Sequence, residues 1–292
     1  MKNKFIKTAM AAVVGASFAM TGTSAFALLT WYDPVTKFED DNMEWFFDSN
    51  SDGIINTGDR IVSVFEIDRT VGVIGGGGPT PIAPEHELTG VLDVTVTSTA
   101  SLGGGLFSYT FGASGVGGLL DPLAFGAGAM AAVWLDSTPN LDIVSIGGCA
   151  SFGDCSTRAM DGVLWEVDGF GTSVVGSGPD NTYFFLSTIV PGGNSPAAIG
   201  LIDGSSTVAV ANFGMNIMFN GTGRTLTEQS GLFGPVDVIG TGIIQGGDGL
   251  INGAFARSDF DFQKAVLVPE PGSLALIGLG LLGMFGLRKR AV

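Results

Sequence analysis

One histidine, His86, and two cysteines are all that the 292 residues offer of the side chains most used as bases, nucleophiles and soft-metal ligands. Gly-x-Ser-x-Gly elbows, Gly-x-x-x-x-Gly-Lys phosphate loops and His-Glu-x-x-His pairs are missing, which removes the commonest hydrolases and nucleotide enzymes. His86 itself stands between Glu85 and Glu87 on a Pro-rich loop, where a solvated side chain is a simpler reading than a base or a ligand. Positive charge is scarce as well. There are 13 basic residues against 28 acidic ones, for a net charge of −15, and six of the 13 (Lys2, Lys4, Lys7, Arg288, Lys289 and Arg290) lie in the two end segments. Residues 28–268 therefore hold seven basic against 27 acidic side chains. A body so acidic repels phosphate backbones and anionic headgroups, so nucleic acid is excluded as a partner and divalent cations are favoured. Tyr (3) and Trp (4) are few beside 21 Phe. What abounds is Gly, 47 residues, more than twice the ~7% of ordinary usage. Short apolar segments separated by turn formers make a sheet protein, not a helix bundle.

The first 27 residues run from a basic stretch ending at Lys7 through an apolar run, Thr8 to Met20, to Ser24-Ala25-Phe26-Ala27. This is the order of a secretory signal, with Ala25 and Ala27 at the cleavage site of signal peptidase. The apolar run is too short for a permanent membrane span, which needs about 20 residues. At the other end Val268-Pro269-Glu270-Pro271-Gly272-Ser273 is followed by uncharged Leu274 to Leu287 and then Arg288-Lys289-Arg290. The prolines keep the start extended, the apolar stretch is a short transmembrane helix, and the basic cluster stays on the cytoplasmic side. That order of parts, over residues 268–292, resembles the PEP-CTERM sorting signal of exported proteins in Gram-negative bacteria that make extracellular polysaccharide. The resemblance implies processing by the membrane protease exosortase, a transient stay in the inner membrane, and a cell-surface or matrix destination. The other reading is a permanent tail anchor.

Between the ends, residues 28–267 read as a single all-β domain. Predicted strands are Ile61–Asp68, Val91–Ser98, Leu106–Phe111, Ala129–Leu135, Leu141–Ile146, Gly162–Val167, Tyr183–Ile189, Val208–Phe219, Val236–Ile244 and Ala254–Phe262. About ten strands at this spacing predict a two-sheet β-sandwich or jelly roll. In 91–97 the alternation sends Leu92, Val94 and Val96 inward and Val91, Asp93, Thr95 and Thr97 outward. Gly75 to Pro84 is a loop inside the fold, first flexible and then stiff.

Residues 48–59 carry the one chemical motif, Asp48-Ser49-Asn50-Ser51-Asp52-Gly53-Ile54-Ile55-Asn56-Thr57-Gly58-Asp59. Oxygen-bearing side chains fall at loop positions 1, 3, 5, 9 and 12, and a hard cation wants six to eight oxygens. Asp48, Asn50 and Asp52 would surround calcium while Gly53 takes the sharp turn. Ile54 would give its carbonyl, Asn56 would act directly or through water, and Asp59 would close the shell, with Ile55 pointing into the core. The loop resembles the calcium loop of dockerin modules, which also have Asn at position 9 and Asp at position 12. Here a single loop leads into a strand-like segment, so the resemblance stops at the loop and implies no cohesin binding. An Asp/Asn-rich surface turn without metal is the alternative. Asp248-Gly249-Leu250-Ile251-Asn252 echoes part of it but lacks the preceding acids, and reads as a turn.

Cys149 and Cys155 are predicted to form a disulfide, since the chain is bound for an oxidising compartment and two thiols are too few for zinc. Asp161, Glu166 and Asp168, near Trp165, are the acids to inspect for a glycosidase-type carboxylate pair. Solvated strand edges explain them equally well. The reading with fewest requirements is a non-catalytic cell-surface or extracellular-matrix protein associated with exopolysaccharide. A carbohydrate-binding module would show Trp31, Trp45, Trp134 and Trp165 in an exposed row, though these fit a core better. A polysaccharide-acting hydrolase would show two facing acids in a cleft.

Overall fold

The computed structural model describes residues 29–143 and 148–267. The predicted signal segment, with Ala25 and Ala27, and the tail, with Pro269, Glu270 and Pro271, lie outside the described residues. Among the described residues no helix is long and apolar enough to cross a membrane.

The body is all-β, with its strands closed into a barrel. In chain order the strands are β1 (Val35–Phe47), β2 (Arg60–Gly72), β3 (Thr80–Pro81), β4 (Glu87–Gly103), β5 (Leu106–Ala113), β6 (Ala129–Asp136) and β7 (Val163–Gly169). They continue as β8 (Tyr183–Thr188), β9 (Thr207–Asn220), β10 (Leu226–Thr227), β11 (Gln229–Ser230), β12 (Pro235–Val236), β13 (Val238–Gln245) and β14 (Ala256–Val266). Three short helices, α1 (Pro122–Phe125), α2 (Phe152–Ala159) and α3 (Pro196–Ile199), sit in the connections.

Strand pairing runs β1-β2-β4-β6-β7-β9-β13-β14 and returns to β1, with every step antiparallel. This closed eight-stranded ring corrects the two-sheet sandwich. The physical reason is strand length. β4 has 17 residues and changes neighbours along them, pairing β6 over Glu87–Leu92 and β5 over Val94–Gly103. β9, with 14 residues, pairs β8 over Ala209–Gly214 and β7 over Asn216–Asn220. β5 and β8 also pair with each other, so the wall between β4 and β9 divides into two two-stranded panels of the same sheet, and among the described residues only the short β11–β12 pair stands apart from it.

The predicted strands overlap observed ones, overrunning them by one or two residues at Gly162, Ile189 and Ala254 and bridging the break at Asp237 between β12 and β13, apart from 141–146: residues 141–143 carry no strand, and the rest of that segment lies outside the described residues. β1 was not foreseen. Its sequence, Val-Thr-Lys-Phe-Glu-Asp-Asp-Asn-Met-Glu-Trp-Phe-Phe, is rich in residues that strands usually avoid, yet it alternates with period two. Thr36, Phe38, Asp40, Asn42 and Glu44 are all buried.

The main core fills the barrel and includes Phe38, Phe65, Leu92, Val94, Phe184, Phe213, Phe260 and Phe262. A second core lies outside the wall and joins Met43, Trp45, Val64, Val91, Ala132 and Trp134 to Cys149, Cys155 and Ala159. Leu92, Val94 and Val96 point into the main core as predicted. The opposite face of β4 is covered too, so Val91 and Asp93 are fully buried instead of solvated.

Candidate functional site

The 48–59 loop joins β1 to β2 and curls around its own acidic side chains. Asp48 Oδ1 accepts from the backbone N–H groups of Asn50 (3.2 Å) and Ser51 (2.6 Å), and Oδ2 accepts from Gly53 (2.8 Å). These bonds to the charged form hold the Asp48 carboxyl below its ordinary pKa, that from Gly53 most of all. Gly53 takes φ +78°, the left-handed conformation that the tight turn requires. The amide nitrogens of Asn50 (3.0 Å) and Asn56 (2.7 Å) both donate to Asp52 Oδ2, and Asn50 also reaches Asn56 Oδ1 at 3.3 Å. Three of the predicted ligands are thus gathered about one point.

Turning the two amides through half a rotation would present oxygens there instead of nitrogens. The donor set would then be oxygen only, as a hard cation requires, with the Ile54 carbonyl following Asp52 in the turn. Asp59 is engaged differently. It is fully buried, its Oδ1 accepts from the Ser49 N–H and hydroxyl (2.8 Å each), and its Oδ2 accepts from the Asn56 N–H (2.8 Å). It holds the loop's two limbs together. Ile55 enters the core, where its N–H donates to the Asn194 carbonyl at 2.7 Å.

The acids singled out around Trp165 separate. Asp161 is exposed and bonded to Asn140, whereas Glu166 and Asp168 are buried with a basic residue that the sequence did not bring to notice, Lys264. Lys264 pairs with Glu166, and its Nζ lies 3.9 Å from Asp168 Oδ2, among the rings of Phe38, Trp165 and Phe262. Burial pushes the Lys264 ammonium well below its usual pKa; burial, and then the charge of Asp237, pushes Asp168 well above its own. Strand-edge solvation does not describe Glu166 or Asp168.

The barrel holds further carboxylates. Asp40 accepts from the Phe260 N–H at 2.8 Å, and burial raises its pKa strongly. Glu44 is bonded to Ser258, and burial raises it to about 7. Asp40 and Asp168 share a cavity of about 50 Å³ with Phe65, Phe213, Phe260 and Phe262. These acids read as surface from sequence because partners that bury them, Lys264, Phe260 and Ser258, lie more than 90 residues away.

Trp45, Trp134 and Trp165 are buried, and Trp31 packs on Phe38 and Trp165 with ring centroids 5.3 and 6.1 Å away, so the four tryptophans form no exposed row. His86 is half-buried, with its Nδ1 out of water. Cys149 and Cys155 are joined, with Cα atoms 5.2 Å apart, and tie α2 to the outer core beside Trp45. The echo at 248–252 is a turn between β13 and β14, whose Asn252 side chain donates toward the Cys149 carbonyl at 3.5 Å.

These features define a closed β-barrel with charged groups sealed inside and an acidic loop at one hairpin. Residues 267–290 match the family model described as the PEP-CTERM protein-sorting motif. A motif of this kind marks a chain for export across the inner membrane toward the cell surface and for processing by exosortase. No curated protein and no solved structure matches the chain.

Proposed function

We propose that the chain is a non-catalytic cell-surface or extracellular-matrix protein that associates with exopolysaccharide, and that its 48–59 loop holds a structural calcium ion. The observation that carries this reading is the junction between barrel and sorting signal. β14 ends at Val266 and the motif begins at residue 267. The Val266 N–H donates to the Pro34 carbonyl at 2.8 Å and the Leu267 N–H to the Thr225 carbonyl at 2.9 Å, so the barrel is hydrogen-bonded up to the first residue of the motif. The motif therefore follows the last barrel strand directly in the chain. A non-catalytic role is supported by the burial of Glu166 and Asp168. The cavity beside Asp168, about 50 Å³, is far smaller than the roughly 150 Å³ that accommodates a benzene ring, and a sugar ring is larger still.

The test compares cells producing the unaltered chain with cells producing Pro269→Ala, Glu270→Ala and Pro271→Ala together, in a host with exosortase. The unaltered chain is expected in the polysaccharide fraction, without its tail by mass, and released by chelator. The variant should stay uncut in the membrane fraction, and polysaccharide incubated with the purified protein should keep its chain length. Recovery of the unaltered chain in polysaccharide-free medium, or shortening of the polysaccharide, would overturn the reading.

A further inference from the structure

A second set of oxygen donors is gathered where β4 begins and β6 ends. Glu87 and Asp136 are direct partners across that antiparallel ladder. Asp161 stands just ahead of β7, followed by Gly162, where a Cβ would come within 2.6 Å of the Leu135 carbonyl oxygen. Only a residue without a side chain lets the two segments approach so closely. One carboxylate oxygen from each of Glu87, Asp136 and Asp161 lies within 4.8 Å of the others. Oxygens on opposite sides of a calcium ion are about 4.6–5.2 Å apart, so one ion can touch all three.

The connection after β6 fixes these carboxylates without neutralising them. The Thr138 N–H donates to Asp136 Oδ1 at 3.0 Å, the Asn140 and Leu141 N–H groups donate to Glu87 Oε2 at 3.2 Å each, and the Asn140 side chain donates to Asp161 Oδ2 at 2.9 Å. Glu87 Oε1 is left over. The residue is only 3% exposed, and this oxygen has no hydrogen-bond partner. An unpaired carboxylate oxygen out of water beside two other acids is costly unless a positive charge reaches it.

No basic side chain among the described residues does so: no salt bridge involves Glu87, Asp136 or Asp161. Arg158, which touches Asn140, directs its Nη1 to the Asn140 and Gly148 carbonyls and pairs through Nε with Asp154, and it makes no salt bridge to the three acids. Burial raises the Glu87 carboxyl above its ordinary pKa, and the charges of Asp136 and Asp161 raise it further.

We propose that Glu87, Asp136 and Asp161 form an oxygen-only site for calcium that clips together the start of β4, the end of β6 and the entry to β7. Nothing in this proposal depends on metal in the 48–59 loop.

The experiment measures calcium bound per chain by equilibrium dialysis, using the full chain in mild detergent at about 1 mM free calcium, near the range of extracellular calcium modules. The parent carries Asp48→Ala and Asp52→Ala, so that the loop does not contribute. One calcium per parent chain is expected, and adding Asp136→Asn and Asp161→Asn should weaken binding at least tenfold while the far-ultraviolet β-sheet spectrum stays intact. A folded parent that binds no calcium overturns the proposal, as does binding that survives the added substitutions. Should the asparagine variant lose its β-sheet spectrum, Glu87→Gln in the same parent takes its place, and unchanged calcium affinity there is equally fatal. Failure of the loop reading looks different: the unaltered chain would then bind no more calcium than the parent.

Discussion

Phe260 covers Gly242. The two are partners across the β13–β14 ladder, and a Cβ placed on Gly242 would lie 1.7 Å from Phe260 Cδ1. The same relationship recurs between Phe65 and Gly90, Phe213 and Gly240, and Tyr183 and Gly214, each pair directly opposed across its ladder. A ring lying over a bare backbone position fixes register, because a slip of one residue would send it to the other face of the sheet. The abundance of Gly and Phe in this chain has one structural cause in these pairs.

Gly242→Ala should therefore lower stability by about 1–3 kcal/mol, the usual cost of forcing an extra group into a packed core. Urea unfolding measures it. Gly153→Ala is the control, because Gly153 lies within α2 with no atom within 4 Å of its missing Cβ. That change should be neutral or slightly stabilising. Equal midpoints for Gly242→Ala and the unaltered chain would mean that the Phe260 ring moves aside freely.

Among the described residues, Lys264 is the one base in a buried group of acids. Lys264→Met would leave Glu166 and Asp168 without a counter-charge and should cost about 3–5 kcal/mol, as removal of one partner of a buried pair does. Lys264→Met with Glu166→Met should recover most of that loss, since a well-packed apolar pair can equal a buried ion pair. Denaturant midpoints of the single and double variants decide. A double variant no more stable than the single one would show that Glu166 has a role apart from Lys264.

How much of this was legible in the sequence depends on distance along the chain. Most strands could be read because Val, Thr and Ile alternate locally, and the geometry of 48–56 because its Asp and Asn side chains bond within the loop. β1 could not be read. Its inward carboxylates look like surface until Ser258 and the Phe260 N–H, some 200 residues later, are placed against Glu44 and Asp40. Barrel closure was equally hidden, because alternation tells which face a residue takes and not that β4 and β9 exchange neighbours partway along. Alternation turns Asp93 outward, yet it is sealed by Arg60 and by the Leu119 N–H, which only the fold supplies.

The contribution of Glu44 to stability should fall as pH rises from about 5 to 8. Glu44 has an ordinary pKa of 4.5 that burial raises to about 7, and the folded state therefore holds a proton that the unfolded chain has already lost in this window. Its contribution is complete below pH 4.5 and disappears as pH climbs through about 7. Asp40 and Asp168 act with the same sign, and Lys264, held below its usual pKa by burial, acts with the opposite one, so the Glu44 contribution is read by substitution. Glu44→Gln, which keeps the shape, should remove about 2–3 kcal/mol of the difference between pH 5 and pH 8. Urea unfolding at the two pH values tests this, and an undiminished difference in the variant would place the proton elsewhere.

The 48–59 loop makes a prediction that separates it from an ordinary acidic turn. In a chain carrying Asp136→Asn and Asp161→Asn, so that this loop alone is read, calcium should raise the thermal midpoint. A ligand at a hundred times its dissociation constant adds about 2.7 kcal/mol to stability. The effect should reach the whole barrel, because the loop spans β1 and β2 while Ile55 anchors it in the core through Asn194. Asp48→Ala with Asp52→Ala should abolish the rise, since Asp48 sets the turn through Gly53 and Asp52 is the oxygen on which Asn50 and Asn56 converge. If the unaltered loop shows no rise in calcium over chelator, its own hydrogen bonds are its only ligands, and Asp48 and Asp52 serve the hairpin as a turn.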